Sequence, residues 1–198
     1  LFFIRSITMC TTIDIRGYHG TDRSCYDNLE INKEFPVNKL PSDLGNGLYL
    51  FIDRKNKVGE AIKNAKNYLD RWKPKYEKKI IAQIDIKVKE NRLMDLDDHD
   101  NQYEFNSFVE ENEETIYNEL DKLINNNTKS RGNIDGLIIE IMIREYNLEI
   151  DAIQKETYTQ FDKSKKRKRS NIPNGKELCI RQNDIIKNKC IYNENVVT

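Results

Sequence analysis

Three short motifs, far apart along the chain, carry residue types that could act together on one small molecule. A glutamate held on a strand can stabilise positive charge that develops during a reaction, because a fixed carboxylate needs no reorganisation. A neutral histidine ring offers one hydrogen-bond donor and one acceptor, and a tyrosine ring can stack on a flat heterocycle. The motifs that supply these groups are Tyr18-His19-Gly20-Thr21, Gly45-Asn46-Gly47-Leu48-Tyr49-Leu50 and Lys176-Glu177-Leu178-Cys179-Ile180-Arg181.

The order of the motifs is more specific than any one of them. A strand, a His-Gly-Thr turn, a short helix, a loop, a Gly-x-Gly-x-Tyr strand, an alanine-containing helix and a late glutamate strand are expected in succession. This set resembles the ADP-ribosyltransferase superfamily, in the branch with a His, Tyr and Glu constellation shared by diphtheria-type toxins and poly-ADP-ribose polymerases. The resemblance covers roughly residues 13–70 and 148–192. It implies an α+β fold with a split, mixed or antiparallel sheet core and flanking helices.

The resemblance implies that the protein uses NAD as a co-substrate, without a metal, and transfers its ADP-ribose. Glu177 would hydrogen-bond the 2′-hydroxyl of the nicotinamide ribose and stabilise an oxocarbenium-like transition state. His19 would bind the adenosine ribose, and the Gly20 backbone would hold the nicotinamide amide. Tyr49 would stack on the nicotinamide ring, and Tyr68 on the following helix could form its second aromatic face. The expected catalytic set is His19, Tyr49 and Glu177, and the other residues expected at the NAD site are Thr21, Gly47 and Leu48.

Each central residue also has a purely structural interpretation. Glu177 could begin a strand at a surface edge, His19 could be a hydrogen-bonded core residue, and Tyr49 could pack into the core. Arginine-specific transferases usually carry a second acidic residue two positions before the catalytic glutamate, whereas Gly175 stands there in this chain. The sequence therefore disfavours arginine as the modified group.

The segment before Glu177, residues 159–176, contains a dense basic run. In related enzymes the corresponding loop contacts the acceptor of ADP-ribose. Lysine and arginine bind phosphates without reading sequence, so a nucleic acid is the favoured macromolecular acceptor. A protein acceptor stays open, because a basic loop can also be simply solvated. The expected acceptor-binding residues are Lys165, Lys166, Arg167, Lys168 and Arg169.

Two other functions stay open at this point. An RNA 2′-phosphotransferase uses a related fold and NAD, but the arginine-rich phosphate-binding arrangement of such enzymes is not found near His19 or Tyr49. A module that binds nucleic acid through the basic run, on a degenerate NAD fold, would not be an enzyme. Small relatives within the resembled family favour a toxin or phage-defence effector, with an antitoxin or inhibitor protein as a further partner.

Hydrophobic periodicity predicts the elements that position the motifs in a single domain spanning residues 1–198. Two prolines indicate a loop over 35–43, and the region 103–146 is expected as a helical insertion. Alternating apolar residues predict strands at 13–18, 48–52, 80–88, 148–157, 177–181 and 189–192. One helix each is expected at 22–31, 57–72 and 134–146, and one or two helices at 103–124.

The composition is compatible with a folded domain. Charged residues make up 33% of the chain but the formal net charge is zero, which does not fit the usual composition of disordered chains. No apolar stretch approaches the ~20 residues that span a bilayer, so we expect a cytoplasmic protein without membrane association. The cysteines lack metal-ligand spacing and are expected to be reduced thiols. The acidic run over 95–100 lacks the pattern of a calcium loop, so we expect a solvated connection there and no metal site.

Overall fold

The computed structural model describes residues 11–29, 31, 40–125, 134–162 and 170–192. Within these ranges the chain forms a mixed seven-stranded sheet with helices, which confirms the expected α+β fold class. The strands are β1 (Thr12–Asp22), β2 (Leu48–Ile52), β3 (Lys79–Lys89), β4 (Leu93–Asp95), β5 (Ala152–Thr157), β6 (Gly175–Ile180) and β7 (Ile186–Ile191). The α-helices are α1 (Glu60–Trp72), α2 (His99–Glu111), α3 (Glu113–Asn125) and α4 (Ile134–Glu145).

The three motifs lie on neighbouring strands near the middle of the sheet. The strand order is β4-β5-β6-β2-β1-β3-β7, with β4 and β5 parallel and the other neighbours antiparallel. The late glutamate strand, β6, therefore pairs directly with β2, and Glu177 stands opposite Phe51. Residues from the two ends of the sequence become neighbours because β6 inserts between β5 and β2.

Alternation along β2 divides its side chains between two apolar layers. Leu48, Leu50 and Ile52 pack on one face, in a cluster with residues of β3 and β6. On the other face Phe51 packs with α1, and Tyr49 packs against the cluster formed with α2, α3 and α4. Each fully buried aliphatic side chain stabilises the fold by about 1.5–3 kcal/mol. The strand is thus fixed on both faces, which makes it a rigid support for Tyr49.

The sheet opens where β1 leaves β2. β1 pairs with β3 along its whole length, whereas along these fully described strands its ladder with β2 consists of Gly17–Ile52 and Tyr18–Phe51. Beyond the second pair, the His19 ring bridges to β2, with its Nδ1 atom 2.7 Å from the carbonyl oxygen of Tyr49. A side chain therefore replaces a backbone ladder at this point, and the strands diverge on either side of a cleft.

The prediction of a helix over residues 22–31 is wrong. β1 continues through the His-Gly-Thr residues to Asp22, and a short 3-10 turn, Arg23–Cys25, follows it. The Asp22 carboxylate accepts hydrogen bonds from the amides of Ser24, at 3.0 Å, and Lys78, at 3.1 Å. These bonds end the strand and turn the chain, so His19 lies within a strand rather than at the end of one.

The acidic run connects β4 to α2 and is exposed at residues 98–100, as expected, but two of its carboxylates also have specific partners. The Asp98 carboxylate caps α2 by accepting hydrogen bonds from the amides of Asp100, at 3.0 Å, and Asn101, at 3.2 Å. Asp97 Oδ2 lies 2.8 Å from Nζ of Lys176 on β6. The run therefore connects the helical region to the strand that carries Glu177.

Three features of the described residues bear on the remaining expectations. In that part of the chain, no helix is both long and apolar enough to cross a membrane, and no cluster of three or more potential metal ligands is found. Cys25, Cys179 and Cys190 are free, and Cys10 lies outside the described ranges. Burial raises the pKa of the Cys179 thiol to about 12, so this cysteine acts as a neutral packing group.

Candidate functional site

A cavity of about 280 Å³ lies at the opening between β1 and β2. Residues from all three motifs line it: His19 and Gly20 from β1, Tyr49 from β2, and Glu177 from β6. Tyr68 of α1 also lines the cavity. Its other lining residues are Tyr18, Ser42, Asp43, Leu50 and Phe51. The fold thus gathers the motif side chains around one space that is open to a ligand.

The His19 ring is held in one tautomer by β2. A carbonyl oxygen can only accept, so the 2.7 Å contact with the Tyr49 carbonyl requires the proton to be on Nδ1. Burial lowers the pKa of the His19 imidazole, and the ring is therefore neutral near pH 7. A neutral ring with its proton on Nδ1 leaves Nε2 as an acceptor, which can bind a hydroxyl group.

The Tyr49 side chain forms part of the cavity wall and fixes the loop that precedes it. Its hydroxyl accepts a hydrogen bond from the Leu44 amide and donates one to the Gly45 carbonyl, both at 2.8 Å. Burial raises the pKa of Tyr49, which keeps this hydroxyl protonated. Because the hydroxyl is occupied by the loop, the ring is the part of Tyr49 that remains for a ligand.

The Gly-x-Gly loop is also fixed from helix α4. Glu140 accepts a hydrogen bond from the Asn46 amide at 2.6 Å and pairs with Arg181, whose Nη2 lies 3.0 Å from Oε2. Burial opposes the charge of Arg181, but the hydrogen bonds and ion pair with Glu140 raise the pKa of Arg181 overall. The Arg181 guanidinium therefore stays charged. Sequence reasoning misses Glu140, because its contacts are distant along the chain.

Glu177 is half-buried in the cavity wall and has a perturbed titration. Burial raises its pKa from 4.5 to about 7, the Thr159 and Thr157 hydroxyls oppose this shift, and the nearby Asp43 charge adds to it. Thr159 Oγ1 donates a hydrogen bond to Glu177 Oε1 at 3.1 Å. Since both protonation states are populated near neutral pH, this carboxyl can respond to a charged ligand.

The ends of the segment that carries the basic run meet beside Glu177. The Thr159 amide donates to Asn174 Oδ1 at 2.9 Å, and Asn174 Nδ2 donates to the Thr159 carbonyl at 2.8 Å. Asn64 of α1 donates to the Asn174 carbonyl at 3.1 Å. The segment therefore starts and finishes close to Glu177. The expected acceptor-binding residues on it, Lys165, Lys166, Arg167, Lys168 and Arg169, lie outside the described residues.

Three residues expected at the NAD site, Thr21, Gly47 and Leu48, are not among the described residues that line the cavity. Thr21 is buried, pairs with Ile80 of β3, and is not among the described residues that line the cavity. Leu48 packs into the apolar cluster on the opposite face of the sheet from Tyr49. The structure places Leu48 as a core residue that supports the cavity from behind.

The motif glycines allow close packing within the protein. A Cβ atom on Gly20 would lie 2.7 Å from Leu69 Cγ, so glycine at this position lets α1 pack directly on β1, although Gly20 also lines the cavity. A Cβ atom on Gly47 would lie 2.4 Å from the Ile180 carbonyl oxygen, so glycine here lets the loop approach β6 closely. Close packing between protein segments is thus by itself a sufficient reason for glycine at both positions.

None of the known protein families matches this chain, and neither the curated proteins nor the solved structures include a match. What the site can do therefore follows from its own geometry. Two aromatic rings, a neutral histidine and a titrating carboxyl suit a flat heterocycle joined to a sugar. The sequence gives no role to Asp43 or Thr159, because their proximity to Glu177 arises only in the folded sheet.

The raised pKa of Glu177 predicts a pH-dependent cost to stability. The folded state favours the neutral acid, so this contribution to stability is fully present below pH 4.5 and is lost as pH rises through about 7. Glu177→Gln removes the ionisation and keeps an acceptor for Thr159. We expect the variant to unfold at higher urea concentration than the wild type at pH 8, by up to about 3 kcal/mol, with no such gain at pH 4.5.

The matched control is Glu114→Gln, which removes an exposed carboxylate from α3. Because Glu114 is exposed, this variant should differ from the wild type at pH 8 by much less than Glu177→Gln does. Equal stabilities of Glu177→Gln and wild type at pH 8 would show that burial does not destabilise the ionised Glu177.

Proposed function

We propose that this protein is an NAD-dependent mono-ADP-ribosyltransferase that modifies a macromolecular acceptor. One observation carries the proposal: His19, Tyr49 and Glu177, from three separate motifs, line the same cavity. The reaction breaks the bond between nicotinamide and C1′ of its ribose, and positive charge develops on the sugar. A carboxylate beside that carbon is the group that stabilises such a transition state.

Glu177 provides this carboxylate in the proposed mechanism. Its Oε1 is held by the Thr159 hydroxyl, which leaves the other carboxyl oxygen for the 2′-hydroxyl of the nicotinamide ribose. Strand β6 lies between β2 and β5 and holds the side chain in place. The oxidised nicotinamide ring carries a positive charge, so its binding favours the ionised form of Glu177.

The other lining groups bind the two halves of NAD. His19 accepts a hydrogen bond from a hydroxyl of the adenosine ribose through Nε2, which its contact with the Tyr49 carbonyl leaves unprotonated. The rings of Tyr49 and Tyr68 pack on the nicotinamide. Such aromatic contacts contribute about 0.5–1.5 kcal/mol of binding free energy beyond that from burying surface area. The Gly20 backbone is within the same cavity and can bind the nicotinamide amide.

A nucleic acid is the acceptor that we favour, with a protein as the competing possibility. The ends of the basic segment meet at Thr159 and Asn174, next to the carboxyl that would stabilise the reacting sugar. A phosphate backbone bound by this segment would therefore pass the cavity. The cellular role that fits this activity is a toxin or phage-defence effector, controlled by an antitoxin or inhibitor protein.

The test of the proposed function is nicotinamide release from NAD by the wild type and by Glu177→Gln. We expect the variant to bind NAD but to release nicotinamide at least ~100-fold more slowly, as for the loss of one preorganised electrostatic group. In the wild type, kcat/KM should rise with pH through about 7, because the reaction needs the ionised carboxyl. Turnover of the variant should not show this rise.

Glu114→Gln serves again as the control and should release nicotinamide as fast as the wild type. Comparable turnover of Glu177→Gln and wild type, with both proteins folded by circular dichroism, would remove Glu177 from the mechanism. The absence of nicotinamide release by the wild type at every pH would contradict the proposed activity itself.

Two substitutions at Tyr49 separate its ring from its hydroxyl. Tyr49→Phe keeps the ring but loses the bonds to Leu44 and Gly45, so we expect a lower melting temperature with NAD affinity reduced less than ~10-fold. Tyr49→Ala and His19→Ala should each weaken NAD binding by at least ~10-fold, measured by calorimetry. Equal NAD affinity of Tyr49→Ala and Tyr49→Phe would contradict a stacking role for the ring.

The basic run can be tested by charge reversal of Lys166, Arg167 and Lys168 to Glu. Repulsion of phosphates should abolish labelling of nucleic acid from labelled NAD, and labelling by the wild type should fall steeply as salt rises. Charge-neutral Lys-to-Gln and Arg-to-Gln changes at the same positions should give an intermediate loss. Unchanged labelling by the reversed variant, without salt dependence in the wild type, would favour a protein acceptor.

A further inference from the structure

The side chain of Asn174 holds together the ends of the connection between β5 and β6. The two strands pair regularly as far as Thr157 and Gly175. Pro173 would stand opposite Thr159 if this pairing continued, but proline has no N–H and interrupts sheet ladders. The Asn174 carboxamide binds Thr159 instead, since Oδ1 accepts from the Thr159 amide at 2.9 Å and Nδ2 donates to its carbonyl at 2.8 Å. A side chain thus takes the place of a backbone partner.

These bonds bring Thr159 to Glu177. Regular pairing places Lys155 opposite Glu177, so Thr159 would lie four residues further along β5, which is about 13 Å at 3.3 Å per residue. That separation is beyond the reach of the two side chains, yet the Thr159 hydroxyl donates to Glu177 Oε1 at 3.1 Å. The chain therefore leaves the regular strand path after Thr157, and the bonds from Asn174 hold it in this bent course.

Helix α1 fixes Asn174 in turn. Asn64 is buried on α1, and its Nδ2 donates to the Asn174 carbonyl at 3.1 Å. A Cβ atom on Gly175 would collide with this Nδ2, so any other residue at that position would push the Asn64 amide away from Asn174. Glycine at the position where arginine-specific transferases carry their second acidic residue therefore preserves the contact between α1 and Asn174.

The bent course is also anchored just beyond Thr159. Trp72, at the end of α1, donates from Nε1 to the Gln160 carbonyl at 3.1 Å. The Phe161 ring packs on Phe51 of β2, with the ring centroids 6.1 Å apart. Contacts on both sides of Thr159 therefore fix its backbone, and its hydroxyl has a defined direction toward Glu177.

We propose that Asn174 and Thr159 are positioning residues: Asn174 holds Thr159, and the Thr159 hydroxyl orients the Glu177 carboxyl for the reacting ribose. This inference rests on the proposed transferase function. With Oε1 engaged by Thr159, rotation of the carboxyl is restricted and Oε2 is the oxygen directed to the 2′-hydroxyl. Neither positioning residue touches the substrate, so each acts through Glu177.

The same hydroxyl influences the ionisation of Glu177. A donated hydrogen bond favours the carboxylate, so the Thr159 bond lowers the pKa of Glu177 against the larger opposing effect of burial. The titratable groups around Glu177 are His19, Asp43 and Tyr49 in the cavity wall, Cys179 on the same strand and Lys155 across on β5. Thr159→Val removes none of these groups. A shift in the titration of Glu177 in that variant therefore reports the lost hydroxyl.

The first measurement needs no substrate. The Glu177 titration can be followed by NMR with carbon-13 in the glutamate carboxyls, and its signal is the one lost in Glu177→Gln. We expect a midpoint of about 7 in the wild type. Thr159→Val and Asn174→Ala should raise it by at least ~0.5 pH unit, because a hydrogen bond to a charged group is lost. Thr159→Ser should restore the wild-type midpoint, and Thr115→Val, at an exposed position of α3, is the matched control.

Nicotinamide release then tests whether the two residues act through Glu177. Thr159→Val and Asn174→Ala should lower kcat by at least ~10-fold and change KM for NAD by less than ~3-fold. Their kcat/KM should rise at a higher pH than that of the wild type, and Thr159→Ser should recover most of the rate. In the Glu177→Gln background, Thr159→Val should have no further effect, because residues that act through one group are not additive.

An unchanged Glu177 midpoint in Thr159→Val and Asn174→Ala would overturn the positioning role. An effect of Thr159→Val on kcat that is equally large in the Glu177→Gln background would overturn it as well. If Thr159→Val does not fold, the NMR titration of Asn174→Ala decides the question. Failure of the wild type to release nicotinamide at any pH would overturn the transferase function, whereas the NMR titration would still decide whether Asn174 and Thr159 control the Glu177 carboxyl.

Discussion

The divergence of β1 from β2 creates the candidate site. Backbone pairing ends at Tyr18–Phe51, and the next residue of β1, His19, turns its ring toward the Tyr49 carbonyl. If the ladder continued, backbone amides and carbonyls would satisfy each other and the strands would leave no space between them. Because a histidine side chain makes the contact instead, the sheet stays continuous at one end and opens at the other. The cavity lies at that opening.

The helical region supports the open end of the sheet. Glu140 of α4 binds both Asn46 and Arg181, and so links a helix to the Gly-x-Gly loop and to the end of the late glutamate strand. Removal of either charged partner would leave the other buried without compensation, which is costly. The helices between β4 and β5 thus hold the motif loop in place, and with β5 they also line a cavity of about 320 Å³.

Local patterns predict the parts of the fold whose residues are close in sequence. The continuous run of apolar and aromatic residues at 48–52 gives the bounds of β2 correctly, because Gly47 precedes it and Asp53 follows it. β4 is missed, since a strand of three residues has too little pattern and pairs with the distant β5. The predicted end of the first strand at residue 18 is wrong. β1 continues beyond it, because pairing with β3 overrides the glycine and threonine that suggest a turn. The sequence suggests that His19, Tyr49 and Glu177 meet, but it does not reveal Asp43 or Thr159 beside them.

The burial of Glu177 explains why a carboxyl that destabilises the fold at neutral pH can still suit the site. Its charge has lost part of its hydration, and the Asp43 carboxylate disfavours ionisation further. In the proposed function, the nicotinamide cation enters the same cavity and supplies the missing positive charge. Binding would then lower the pKa of Glu177, so the carboxylate would form when the substrate is present. As the leaving ring becomes neutral, the positive charge moves to the sugar, and the poorly hydrated carboxylate interacts with it more strongly than a solvated one would.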